Sequence, residues 1–218
     1  MTLYDAIRYL HIGAGTIALA TFWTAATLRK GSDAHRVVGR TFMIMIAVLS
    51  ATGVVIALNA FRTGQTVKAA FLLYLVLITV TACWLAWRAV RDKRDFKKFT
   101  GPVYRSLAWT NIAAGAGMLY LGVQYRQIVI AALSSVGFLA GRAMLRFASK
   151  EPTEKQWWLA RHYNGILGTG VATHVAFLNL GLSHLFDLGG MGQKLSWALP
   201  FVVALLARVW LERKYSRR

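Results

Sequence analysis

FMIMIAVLSATGVVIALNAF, residues 42–61, is a run of twenty residues without a charge, set between Arg40 and Arg62. A helix of that length rises about 30 Å, the thickness of the hydrocarbon layer of a bilayer. Hydrocarbon offers no partner to a backbone amide, so such a run has to be helical. Six more stretches meet the same test: residues 9–28, 69–87, 107–123, 128–145, 157–182 and 195–211. The spacing predicts an all-α, polytopic membrane helix bundle with seven transmembrane helices, forming one integral domain over residues 1–218. Residues 124–127 leave room only for a tight turn between the fourth and fifth spans.

The connections supply the orientation. Of 26 lysines and arginines, 21 fall in the segments 29–40, 88–105, 142–161 and 208–218, all on one side of the spans. The other side holds Arg8, Arg62, Lys68, Arg126 and Lys194. Basic residues accumulate on cytoplasmic loops, so the amino terminus is expected outside and the carboxyl terminus inside (N-out/C-in), in a bacterial inner membrane. Over 218 residues the net charge is +18 and 56% of the chain is hydrophobic. The positive charges come in short runs between apolar segments and match no nucleic-acid module, so no nucleic-acid partner is expected. The single cysteine, Cys83, rules out a disulfide within the chain. No cleavable signal peptide is expected, because the first apolar stretch is long enough to span.

Several functions are disfavoured by what the spans lack. The acids Asp5, Asp33, Asp92, Asp95, Glu151, Glu154, Asp187 and Glu212 all lie outside the apolar cores. Ion-coupled transporters keep carboxylates at membrane depth as counter-charges. The seventh span has no lysine for a retinal Schiff base, and the histidine spacing does not suit a seven-span zinc hydrolase. No nucleotide-binding glycine motif occurs. Glycines 13, 15, 115, 117, 165, 168 and 170 lie within spans, where small residues let helices approach closely. Two short fragments, HIGAGTIAL at residues 11–19 and NIAAGAGML at residues 111–119, are alike, as their Gly/Ala-rich composition alone would make them.

Histidine is the chemically versatile residue that remains. His11 falls near the outer end of span one and His162 near the inner end of span six. His174 lies 12 residues further on that span, about 18 Å along it and about 120° around it. The expectation is an outer layer of His11, His174 and His184, and an inner layer of His162 and His35. Neutral imidazole ligates haem iron and transition metals, so His11 with His174, and His162, are the candidate ligands for haem b or a metal. The plainer expectation for each is a hydrogen bond between helices. His35 and Arg36 in the first inner loop are expected to meet lipid phosphate or to cap span two, and Arg161 in RHYN at residues 161–164 to belong to an interfacial belt or to an anion or quinone head-group site. Trp157 and Trp158 are expected to anchor span six at the interface.

With those residues in view, the chain resembles a family of bacterial predicted membrane proteins without an assigned activity, the domain-of-unknown-function 2306 type. HIGAGTIALATFWTAATLRKG (11–31), HRVVGRTF (35–42), YLVLITVTACWLAWR (74–88) and WWLARHYNGILGTGVATHVAFLNLG (157–181) carry the resemblance. His11, His35, Arg36, Gly39 and His162 fall on its motif positions. Asn164 stands where that family commonly has tryptophan, and His174 where it commonly has a small residue. The resemblance implies a membrane protein and marks positions, without an activity. Three functions stay open: a histidine-liganded redox or metal protein, a binder or transporter of lipid, quinone or another small apolar molecule, and a non-catalytic subunit of a membrane complex. The expected partners are membrane lipids, with a membrane-protein partner or a homo-oligomer.

Overall fold

A computed structural model describes residues 2–182, 186 and 189–215, and no strand occurs among them. Eight α-helices follow in order: α1 (Leu3–Thr27), α2 (Asp33–Arg62), α3 (Thr66–Arg91), α4 (Phe96–Phe99), α5 (Pro102–Gln124), α6 (Ile128–Ala148), α7 (Trp157–Ala176) and α8 (Gly189–Tyr215). A π-helical turn, Phe177–Gly181, follows α7. All seven apolar stretches are thus helical. Four of the helices, α2, α3, α6 and α8, are long and apolar enough to cross a membrane.

Local chemistry sets the helix ends. Thr2 and Asp5 form a reciprocal capping box at the start of α1, and the Thr2 hydrogen bonds hold the Asp5 carboxyl below its usual range. At the other end of α1, Lys30 Nζ donates to the Ala25 and Ala26 carbonyls at 2.8 and 2.6 Å. Helix α2 begins nine residues before its apolar run, because the Ser32 hydroxyl accepts from the His35 amide. His35 and Arg36 therefore stand in the first turn of a helix, which corrects their placement in a loop. Pro200 interrupts α8, where it cannot donate to the Ser196 carbonyl.

The chain divides into two compact units, the first of Met1–Thr52 with Tyr163–Arg218 and the second of Gly53–His162, with the boundaries inside α2 and α7. In the first unit α1 packs on α2 and α7. Gly15 meets Leu49, the Phe22 ring lies 5.7 Å from that of Phe42, and Gly170 lies flat against Phe22. The π-helical turn is tied to α8 by Asn179, whose Oδ1 is 2.9 Å from Gln193 Nε2 and 2.6 Å from Ser196 Oγ.

The second unit is organised by the antiparallel pair α5 and α6. Arg126 takes a positive φ of 52° in the turn between them, and the Gln127 amide closes back on the Gly122 carbonyl at 2.7 Å. A Cβ at Gly115 would stand 2.9 Å from the Phe138 amide nitrogen and from the Ser134 carbonyl. Gly122, Gly137 and Gly141 are equally crowded. Of the glycines marked in the sequence, Gly115 and Gly170 pack closely, whereas Gly13 and Gly117 meet nothing within 4 Å. Helix α3 joins through Tyr74, whose hydroxyl accepts from the Gly137 amide at 2.7 Å and lies 3.0 Å from the Leu133 carbonyl.

Gly115→Leu should destabilise the α5–α6 pair by about 1–3 kcal/mol, as overpacking of a tight contact does. Gly117→Ala should stay within about 0.5 kcal/mol of the parent. Thermal unfolding of the two variants in one detergent checks the difference.

Candidate functional site

In all four histidines that the structure describes, Nδ1 is the nitrogen that holds the fold. His35 Nδ1 lies 3.2 Å from the Ala25 carbonyl, His162 Nδ1 2.9 Å from the Ala86 carbonyl and His174 Nδ1 2.7 Å from the Gly170 carbonyl. A carbonyl oxygen only accepts, so Nδ1 carries the proton in each. His11 Nδ1 is 2.8 Å from Thr52 Oγ1, and that hydroxyl is in turn 2.8 Å from the Val48 carbonyl. That hydroxyl also reaches the Leu49 carbonyl at 3.1 Å, and when its proton is given to a carbonyl its oxygen accepts from Nδ1–H.

His174 is committed at both nitrogens. Its Nε2 accepts from the Trp23 indole N–H at 3.0 Å. An indole N–H only donates, so this ring is a neutral Nδ1–H tautomer with no lone pair left for a metal. The rings of Phe22 and Trp23 meet it edge-on at 5.3 and 5.7 Å between centroids. Trp23 lies 12 residues beyond His11 on α1, about 18 Å along the helix. The structure therefore does not bring His11 and His174 to one level as a ligand pair, contrary to the expected outer layer. Helix register is the reason: α7 meets α1 at Phe22 and Trp23, and no sequence pattern reports where two helices meet. His184 lies outside the described residues. Among those residues no three His, Cys, Asp or Glu side chains form a metal-ligand group.

His11 and Asn111 open the two similar fragments, and each bonds a threonine on a packed helix. Asn111 Nδ2 donates to Thr81 Oγ1 at 2.9 Å and to the Leu107 carbonyl at 2.7 Å. Its Oδ1 is buried and takes no hydrogen bond. Leaving such an acceptor unpaired costs about 1–3 kcal/mol.

The second unit gathers a different kind of site at one end. The last turns of α3 and α6, the first turns of α5 and α7, and the whole of α4 enclose an aromatic cluster. Phe99 and Tyr104 are buried at 0% and 1% exposure, with Phe96, Met144 and Trp157 around them. Ring centroids of Phe99 and Trp157 are 5.0 Å apart, and those of Phe96 and Phe147 5.4 Å. Trp157 is thus a core residue rather than an interfacial anchor. The apolar pair at i and i+3 in FKKF, with an Asp95 cap on the Lys98 amide, makes α4. That short signal sat unread inside a basic loop.

Cations lie over the rim of this cluster. The Arg161 guanidinium lies 4.1 Å above the Phe147 ring, Arg88 5.1 Å from Trp84 and Lys93 5.6 Å from Trp158. Arg88 also pairs with the buried Asp92 carboxylate and donates to the Lys98 carbonyl at 3.2 Å. Arg36, by contrast, pairs with exposed Asp33 at 3.1 Å. His35 and Arg36 belong to the α1–α2 junction of one unit, and Arg161 to the aromatic rim of the other.

A double-mutant cycle on Trp23→Phe and His174→Leu should give a coupling of about 0.6–1.7 kcal/mol, the size found for hydrogen bonds between membrane helices. Additive effects would mean that the Trp23–His174 bond is absent. The chain matches no protein-family model, no curated protein and no solved structure.

Proposed function

We propose that this is a seven-span protein of the bacterial inner membrane, amino terminus outside, that binds an amphiphile at its cytoplasmic rim. The amphiphile is a lipid or quinone-like molecule with an apolar body and a polar head. The cation-capped aromatic rim carries this reading: the half-buried rings of Trp84, Phe147 and Trp158 offer apolar surface over the buried cluster, and Arg88, Arg161 and Lys93 lie over them at the polar edge. Aromatic rings beside cations suit the water–lipid boundary, where a tail and a charged head are met together. The basic segments 88–105 and 142–161, both assigned to the cytoplasmic side by charge, come together at this end of the second unit, as segments on one side of a membrane must. Helices α1, α5 and α7 complete the seven spans. Hydroxyls on them are turned onto their own helix backbone, as in Thr16 to Ile12, Thr110 to Ser106 and Thr169 to Gly165, which suits hydrocarbon surroundings. Kinship with the unassigned membrane family that the histidine motifs resemble is part of the same proposal.

A second reading is favoured by one observation. With Nδ1–H given to Thr52, the lone pair of His11 is on Nε2, the nitrogen that would ligate haem b or a transition metal. His162, set by the Ala86 carbonyl, has the same tautomer.

One preparation tests both readings. Protein extracted in mild detergent should retain a lipid or quinone in native mass spectra, and Arg161→Gln should weaken its binding about tenfold. No retained amphiphile, with binding unchanged in Arg161→Gln and His162→Ala, would sink the first reading. A Soret band or stoichiometric metal lost in His11→Ala would establish the second.

A further inference from the structure

Helix α4 and the start of α5 border an open cleft of about 390 Å³ lined by Lys97, Thr100, Gly101, Pro102 and Arg105. Its geometry is held from behind. Phe96 and Phe99 are buried in the aromatic cluster, so Lys97, between them on a single turn, is forced outward. Thr100 is buried, and its hydroxyl donates to the Phe96 carbonyl at 2.8 Å. Arg105 is exposed and touches the Ala148 carbonyl with one nitrogen at 3.4 Å, which leaves most of its donor fork unspent.

The charge balance of the cleft points to its ligand. The two acids of this segment are already used: Asp92 holds Arg88, and Asp95 caps the Lys98 amide. Among the described residues no carboxylate pairs with Lys97 or Arg105. Two cations therefore share one concavity without a counter-charge, and an anion bound between them removes their repulsion. Arginine presents a planar fork that fits phosphate oxygens two at a time, and lysine adds a point charge. The aromatic rim beside the cleft belongs at the level of lipid head groups.

We propose that the Lys97–Arg105 cleft binds a phosphate ester, the phosphodiester head group of an anionic lipid of the cytoplasmic leaflet. This rests on the reading that the rim faces the cytoplasmic interface. Bound there, the head group joins α4 to α5 from outside, and its tails run along the apolar faces of the neighbouring helices.

The test uses the full chain in detergent micelles, with phosphatidylglycerol, phosphatidylcholine and inorganic phosphate as probes, read by native mass spectrometry. The parent should prefer phosphatidylglycerol, and Lys97→Gln with Arg105→Gln should lower that binding tenfold or more. Lys97→Arg should keep it. Both side chains are exposed, so the double variant should melt with the parent, which separates loss of binding from loss of fold. Full competition by inorganic phosphate without preference for phosphatidylglycerol would keep the anion site and overturn its assignment to a lipid. Equal phosphatidylglycerol binding by parent and double variant, with no phosphate bound, would overturn the site. The orientation is tested apart from it: Lys97→Cys in a Cys83→Ala background should resist an impermeant thiol reagent in intact cells. Labelling there would overturn the cytoplasmic placement while the micelle result still judged the cleft.

Discussion

A polar group inside a helix that meets hydrocarbon has to find its partner within the protein, and most of this structure is arranged around that demand. Hydroxyls satisfy it locally: Thr16, Thr21, Thr24, Ser50, Thr52, Thr79, Thr169 and Thr173 all turn back to a carbonyl one helical turn earlier. Imidazoles satisfy it between helices in His11, His35 and His162, and within α7 in His174. Each described histidine gives its Nδ1–H to a carbonyl or to a hydroxyl already bound to one. Because every such bond has a direction, it sets helix register as well as proximity. The Gly170 carbonyl, one turn earlier on α7, orients the His174 ring toward the Trp23 indole, so sliding α7 along α1 would cost the Trp23 bond.

Close packing and polar pairing divide the labour differently in the two units. The first unit leans on polar cross-links, such as His11 to Thr52 and Asn179 to Ser196. The second leans on backbone approach along α5 and α6, where glycines leave no room for a Cβ. At the end of that second unit the character changes again. Aromatic rings take over from aliphatic ones, and cations lie over them. Side chains in the helix middles are spent on holding helices, whereas the rim carries cations set over half-buried rings.

The helices themselves were legible because an uncharged run of twenty residues admits one backbone solution. The start of α2 was not: the apolar run suggests residue 42, but the Ser32 cap begins the helix at Asp33 and carries His35 and Arg36 into it. The histidine layers also misled. Counting residues from span ends gives depth along each helix separately, and the meeting of α7 with α1 depends on Gly170 against Phe22, a contact without a sequence signature. Thr52, Thr81 and Tyr74 matter as much as the histidines, yet they read as ordinary members of apolar runs. Helix α4 could have been found, because FKKF behind an aspartate is a capped turn with one apolar face.

The most direct measurement is nitrogen-15 NMR of the histidine side chains in histidine-labelled protein, with resonances assigned by single substitutions. The arrangement described here requires that His174 be neutral with its proton on Nδ1, and that its Nε2 shift move when Trp23 is changed to phenylalanine. His11, when neutral, should show the same tautomer. A His174 ring protonated on Nε2, or one indifferent to Trp23, would contradict the claim that the histidines within the helices are spent on holding them together.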